Sequence, residues 1–202
     1  MKNCIVYLAA LALVAAGCRK ESKVEKPPQQ QTATSATATT ATTRTAAAPQ
    51  PQTPASAQST NVGSEMPAYQ AKALDGGSFD LAHERGNVVF LNLWATWCGP
   101  CRFEIPELER LQKEYGSRGF KVVGVSLDES GPEGVQEFVK QNNMTYPVVL
   151  DPDQKLANLF QTSVIPTSVV IDRKGRIVWK KYSAIDPHDA ELIKAIEDAL
   201  KG

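Results

Sequence analysis

One long segment of the chain cannot contribute to a hydrophobic core. Residues 25–61 contain no Val, Ile, Leu, Met, Phe, Tyr or Trp and consist mainly of Thr, Ala, Gln, Pro and Ser. Such a segment buries too little apolar surface to offset the entropy lost when its backbone is ordered. We therefore expect a disordered tether over residues 18–61. The folded domain is predicted over residues 62–202, about 140 residues, which is enough for one core.

The first 17 residues have the organisation of an export signal. Lys2 precedes an apolar run from Ile5 to Ala16, and Gly17 and Cys18 follow it. A basic start, a short apolar stretch and small residues before a cleavage point are typical of a signal peptide. The apolar run is too short to span a bilayer. We predict that residues 1–17 are removed.

The end of this signal resembles the lipobox of bacterial lipoproteins. The residues are Val14-Ala15-Ala16-Gly17-Cys18, with Ala15 where the lipobox prefers Leu. The resemblance implies that Cys18 carries lipid and anchors the protein to a membrane of the cell envelope. The protein would face the periplasm from the inner or outer membrane, or lie on the outer face of the cytoplasmic membrane. An ordinary signal peptide cleaved near Cys18 is the alternative.

The charge balance argues against one class of partner. Lys and Arg together number 22, as do Asp and Glu, so the formal net charge is zero. Nucleic-acid binders depend on an excess of positive charge that neutralises phosphates. We expect no nucleic-acid partner.

The apolar patterns of the folded domain predict an α/β fold with a central mixed sheet. Strands are predicted at 69–74, 78–81, 88–94, 120–127, 147–150, 168–172 and 176–181. Helices are predicted at 100–117, after a cap at Ser130, at 155–160 and at 186–200, the last with Ala190, Ile193, Ile196 and Leu200 inward. Alternation of strands and helices favours a sheet that is covered by helices on both faces.

Two cysteines lie where a buried strand ends and a helix begins. Cys98 and Cys101 are close enough in sequence to form a small disulfide. Cys98 is placed at the helix N-terminus, where partial positive charge stabilises a thiolate, the form that attacks disulfides. Cys101, one turn further, is expected to be more buried and to resolve a mixed disulfide. The pair therefore indicates a redox disulfide.

Two other interpretations of the cysteines remain. A structural zinc site needs four ligands, and only Cys98, Cys101 and the distant His83 and His188 are available after removal of the signal. We therefore expect no metal and no cofactor. An inert structural disulfide is the second alternative.

Two motifs carry a resemblance to a known family. Residues 90–101, Phe-Leu-Asn-Leu-Trp-Ala-Thr-Trp-Cys-Gly-Pro-Cys, resemble the active-site strand and turn of the thioredoxin superfamily. Residues 164–167, Val-Ile-Pro-Thr, resemble its cis-proline loop. The match covers residues 62–202 and is most similar to the exported TlpA/ResA type of thiol-disulfide oxidoreductase. It implies a thioredoxin fold with an N-terminal β-hairpin extension.

The resemblance also implies roles for residues around the cysteines. Trp97, Gly99 and Pro100 would line the substrate site. The backbone of Ile165 would hydrogen-bond an extended substrate segment, as an added strand does. Pro166 would hold a cis peptide facing the disulfide. A trans proline at the start of a strand is the alternative for Pro166.

Two positions distinguish this chain from thioredoxins proper. Those proteins keep a buried acid six residues before the first cysteine, where this chain has Asn92. Glu104, three residues past Cys101, stands where ResA-like proteins place an acidic residue. A carboxylate there would relay the proton of Cys101. The alternative is a solvated acid that the helix dipole favours.

The direction of electron flow follows from the residues between the cysteines. The dipeptide Gly99-Pro100 matches that of reducing thioredoxins, which predicts a reductant of disulfides in exported proteins, for example in cytochrome c maturation. The resemblance implies a membrane thiol-electron conduit of the DsbD/CcdA type as electron donor. A peroxiredoxin-like peroxide reductase would have Thr at position 95, which is Ala, and a Sco-like copper-binding module would have three residues between its cysteines. Both remain alternatives.

Overall fold

The computed structural model describes residues 60–202. The predicted signal peptide, Cys18 and nearly all of the predicted tether lie outside the described residues. Within residues 60–202, no helix has the length and apolar character that a membrane crossing requires.

A mixed sheet forms the centre of the described chain. Its seven strands are β1 (Gln70–Ala73), β2 (Ser78–Asp80), β3 (Val88–Trp94), β4 (Phe120–Ser126), β5 (Val148–Leu150), β6 (Thr167–Ile171) and β7 (Ile177–Lys181). Their order across the sheet is β2-β1-β5-β4-β3-β6-β7. β3 runs parallel to β4 and antiparallel to β6, and β4 runs parallel to β5. The carboxyl ends of β3, β4 and β5 therefore meet at one edge of the sheet, which is where α/β proteins commonly place their sites.

Within residues 60–202, four α-helices accompany the sheet. They are α1 (Gly99–Tyr115), α2 (Pro132–Gln141), α3 (Lys155–Phe160) and α4 (Ala190–Lys201), and two short 3-10 helices occupy Leu81–Glu84 and Gly116–Arg118. This arrangement confirms the predicted α/β fold class. The bounds of β3 and α3 are those that the sequence predicts.

The core lies on both faces of β3, whose seven residues are all buried. Phe90 belongs to an apolar cluster with Leu108 of α1 and Ile196 of α4. Leu91, the next residue, belongs to a second cluster with Leu156 of α3. Successive side chains of a strand point to opposite faces, so the continuous apolar run of β3 serves two cores. β3 is thus held rigidly from both sides, and its end carries the predicted site.

The two strands on either side of Asp75-Gly76-Gly77 pair antiparallel. Ala71 of β1 lies opposite Phe79 of β2, and β1 also pairs antiparallel with β5. Gly76 has a φ of 94°, a left-handed conformation that favours glycine. β1 therefore lies beside β5, and β2 forms one edge of the sheet.

The start of the last helix differs from the prediction. Asp186 accepts a hydrogen bond from the backbone of His188, which forms a turn rather than a helix start. Asp189 caps α4 by accepting from the backbone of Leu192. The buried face accordingly contains Leu192, Ile196 and Ala199, whereas Ala190 is exposed.

The cap of α2 also differs from the prediction. Its N-cap residue is Gly131 with a φ of 96°, and no side chain caps the helix. Ser130 lies one residue too early to do so. The glycine is needed because the chain enters α2 through a left-handed conformation.

Candidate active site

The turn between β3 and α1 places Cys98 at the N-cap of α1. The backbone N–H of Cys98 donates to the carbonyl of Ala95 across 3.1 Å, which closes the turn. The backbone N–H of Cys101 donates to Cys98 Sγ across 3.2 Å. Free N–H groups at a helix N-terminus carry partial positive charge. This geometry therefore stabilises a thiolate on Cys98 when the disulfide is reduced.

Cys98 and Cys101 form a disulfide, with their Cα atoms 5.4 Å apart. Cys98 is 5% exposed and Cys101 is 2% exposed. Cys101 is the more buried cysteine, as predicted, although the difference is small. The neighbours of Cys98 are open to solvent, since Gly99 and Pro100 are exposed and Trp97 is 71% exposed.

The cis-proline loop lies beside this turn. The Ile165–Pro166 peptide is cis, as predicted. Thr167, the next residue, lies opposite Leu93 in the pairing of β6 with β3. Thr167 Oγ1 donates to the carbonyl of Val164 across 2.6 Å, which fixes the loop. Ile165 is half-buried and packs against the cluster that contains both cysteines. Its backbone contact with a substrate stays a prediction.

Glu104, three residues after Cys101 in α1, is buried and only 2% exposed. Its Oε1 accepts from Asn92 Nδ2 at 2.7 Å, and its Oε2 accepts from the backbone N–H of Ile185 at 3.0 Å. Burial raises the pKa of Glu104 to about 7, although both hydrogen bonds and the charge of Lys181 oppose the rise. The alternative of a solvated acid is therefore wrong. A carboxyl group that titrates near neutral pH is suited to proton transfer.

The sequence identified Asn92 as a special position but neither of its hydrogen-bond partners. Asn92 Nδ2 also donates to Ser168 Oγ across 3.0 Å, and both residues are buried. Ser168 faces Asn92 in the register of β3 with β6, and it faces Lys181 in the register of β6 with β7. A row of polar residues thus crosses three strands towards Glu104. The local signal for this contact was a polar residue, Ser168, directly before the apolar run Val169–Ile171.

A second buried carboxylate holds the turn before Cys98 and was missed in the sequence. Asp128 is 6% exposed. It accepts from the backbone N–H of Thr96 at 3.0 Å, from Thr96 Oγ1 at 2.6 Å and from Ser126 Oγ at 2.8 Å. These bonds tie the residues after β3 to the residues after β4. The available signal was a polar residue directly after the predicted strand 120–127.

The zinc interpretation finds no support in the described chain. Among residues 60–202, no three His, Cys, Asp or Glu side chains are arranged to hold a metal ion. His83 lies in the 3-10 helix after β2, and His188 lies in the turn before α4.

Comparisons with known proteins show which family the sequence resembles. A sequence model of the Redoxin family matches residues 61–196. Thiol-disulfide oxidoreductase ResA of Bacillus cereus is 33% identical over 126 residues, which are 62% of this chain and 72% of ResA. Thiol-disulfide oxidoreductase ResA of Bacillus subtilis is 34% identical over 124 residues, which are 61% of this chain and 69% of that relative.

Solved structures show the same fold. A thiol:disulfide interchange protein of the thioredoxin family from Chlorobium tepidum superposes with a TM-score of 0.58 and 31% identity, covering 67% of this chain and 95% of that chain. A DsbF homologue from Corynebacterium diphtheriae superposes with a TM-score of 0.61 and 31% identity, covering 67% of this chain and 86% of that chain.

Proposed function

The chain belongs to the Redoxin family and is a thiol-disulfide oxidoreductase of the TlpA/ResA type with a thioredoxin fold, and on this premise we propose that Cys98 and Cys101 are the redox pair that reduces disulfides in exported proteins. One observation carries the proposal. Cys98 caps α1 and accepts the Cys101 N–H, at a turn that lies beside the cis-proline loop. The sulfur most able to exist as a thiolate thus lies where an extended client can bind.

The first step is attack by Cys98. The Cys98 thiolate attacks one sulfur of the client disulfide and forms a mixed disulfide, while the other client sulfur leaves as a thiolate and takes a proton from solvent. Trp97, Gly99 and Pro100 surround the attacking sulfur, and the backbone of Ile165 aligns the client.

The second step releases the client. The Glu104 carboxylate takes the proton of the Cys101 thiol, and the Cys101 thiolate attacks Cys98 Sγ. The bond between Cys98 and the client breaks, and the second client sulfur leaves as a thiolate that is then protonated. Two electrons have moved from the enzyme to the client, and the Cys98–Cys101 disulfide has formed.

The enzyme then needs two electrons from a dithiol donor. A membrane thiol-electron conduit of the DsbD/CcdA type would supply them in an oxidising compartment. The Gly99-Pro100 dipeptide supports this direction because it is the dipeptide of reducing thioredoxins. Apocytochrome c cysteines are one class of client for such a reductant.

The proposed location is the outer side of a membrane. Residues 1–17 would direct export, and lipid on Cys18 would hold the protein at the surface. The segment 25–61, which lacks large apolar side chains, would let the domain reach clients at a distance from the anchor.

Two measurements test the proposal: the reduction potential of the Cys98–Cys101 pair and the trapping of mixed disulfides in cells. We expect a reduction potential near that of thioredoxin, about −270 mV, whereas a value near about −120 mV would indicate an oxidase. In cells, Cys101→Ala should leave exported clients disulfide-linked to Cys98, and Cys98→Ser with Cys101→Ala should leave none. Peroxide turnover or copper binding by the same protein would favour one of the two alternatives instead.

A further inference from the structure

A cavity of about 450 Å³ opens beside Trp97, the residue that precedes Cys98. Trp97 and Ile165, two of the residues expected to contact a client, both line it. The lining also includes residues that follow β4, among them Asp128 and Glu129, and Gln154 before α3. The cavity is therefore within reach of a client segment that has its cysteine at Cys98.

The charges of the cavity have one sign. Its lining contains two carboxylates, Asp128 and Glu129, and no Lys, Arg or His. The Asp128 carboxylate is buried and already accepts hydrogen bonds from Thr96 and Ser126. Glu129 is exposed, and within residues 60–202 its carboxylate accepts one long hydrogen bond, of 3.3 Å from Gln154 Nε2. Among the ion pairs of residues 60–202, none includes Glu129. Its negative charge is thus available to a ligand.

The residues that line the cavity suit a long cationic side chain. Trp97 presents an exposed indole, and a Lys or Arg side chain packs its methylene groups or its charge on such a ring. Glu129, which also lines the cavity, can then pair with the charge at the end of that side chain. A short polar side chain or an acidic one would not contact both the ring and the carboxylate in this way.

We propose that this cavity binds a Lys or Arg side chain of the client, located within two residues of the reactive cysteine. The inference rests on the proposed function, since it assumes that the client lies along the cis-proline loop. Glu129 is a specificity-determining residue in this arrangement, and it takes no part in the exchange of electrons.

The test uses peptide disulfides that differ only in one residue near the cysteine. Lys, Gln or Glu is placed at each of the two positions on either side, and kcat/KM is measured with the full chain at low and high salt. At the best position we expect the Lys peptide to exceed the Glu peptide by about tenfold at low salt, mainly through KM, with a smaller ratio at high salt. Glu129→Gln should bring the ratio close to one, and Glu129→Lys should reverse it. The matched control is Glu137→Gln, an exposed acid of α2 outside the cavity, which should keep the wild-type ratio.

Failure of the proposed function and failure of the cationic subsite give different results. Turnover of the uncharged 2-hydroxyethyl disulfide reports the proposed function by itself, and its absence would remove that function. If the small disulfide is reduced but the Lys and Glu peptides react equally, or if Glu129→Lys keeps the wild-type preference, the cavity is not the cationic subsite.

Discussion

Asn92 donates a hydrogen bond to Glu104 across 2.7 Å, which links the middle of β3 to the second turn of α1 inside the core. A buried carboxylate is costly unless hydrogen bonds replace its hydration. Asn92 and the backbone of Ile185 supply one donor to each oxygen of Glu104. The buried acid of this site is thus Glu104, on the helix. Asn92 occupies the strand position that is acidic in thioredoxins proper, and its amide donates a hydrogen bond to Glu104.

The first prediction concerns the proton step. Glu104→Gln keeps the size of the side chain but cannot accept the proton of Cys101. We expect resolution of the mixed disulfide to slow by at least about tenfold, and the inflection near pH 7 to disappear from its rate profile. Rapid-mixing kinetics from pH 5 to 9 would measure both effects. Unchanged rates and an unchanged profile would contradict the proton relay.

The same residue should make stability depend on pH. The folded protein holds the Glu104 proton up to about pH 7, whereas the unfolded chain releases it near 4.5. The resulting stabilisation is fully present below pH 4.5 and is lost as pH rises through 7, since the folded state binds more protons in this window. The loss is about 3 kcal/mol at most. Denaturant unfolding of the reduced protein at pH 5 and pH 8 should show this fall in wild type and in Glu137→Gln, and a smaller fall in Glu104→Gln.

A third prediction tests why position 92 is an amide. Asn92→Asp places a second carboxyl group at hydrogen-bond distance from Glu104. Two carboxylates this close cannot both ionise readily, so the pair keeps a proton to higher pH. We expect the pH at which resolution is half-maximal to rise by about one unit or more, as measured in the same kinetic profile. A profile identical to wild type would show that the two side chains do not interact in the reduced enzyme.

The sequence predicts the elements of this site better than its long-range contacts. β3, the N-terminal position of Cys98 and the cis-proline loop each have a local signal: a continuous apolar run, a strand-to-helix junction and a short motif. The Asn92–Ser168 bond joins residues that are 76 positions apart. It exists because β3 and β6 pair in one register, and local periodicity does not fix that register.

The start of α4 was missed for a different reason. Asp186 and Asp189 both suit a helix cap, and Pro187 suits a first turn. Which of the two aspartates caps the helix depends on which residues of the helix pack against the core. Only with Leu192 and Ile196 against the sheet does Asp189 become the cap.

A fourth prediction concerns the support of the catalytic turn. Thr96→Val removes the hydroxyl donor to Asp128 and keeps the shape, at a cost of about 1 kcal/mol. Asp128→Ala leaves the Thr96 and Ser126 donors without this acceptor and should cost about 2–3 kcal/mol. Because the two residues share a bond, the double variant should cost less than the sum of the single variants. Denaturant unfolding measures this coupling, and strict additivity would show that the bond is not formed in solution.

The last prediction concerns the close packing behind the cysteine turn. A Cβ at Gly124 of β4 would lie 2.9 Å from Nε1 of Trp94 and 3.2 Å from a ring carbon of Tyr146. Trp94 ends β3, just before the turn, so its displacement would disturb both the core and Cys98. We expect Gly124→Ala to lower the free energy of unfolding by about 1–3 kcal/mol and to slow insulin reduction. Gly134→Ala in α2 is the matched control, since a Cβ there meets no atom within 4 Å and alanine favours a helix by about 0.5–1 kcal/mol. Equal stability of the two variants would mean that the core around Trp94 has room for a methyl group.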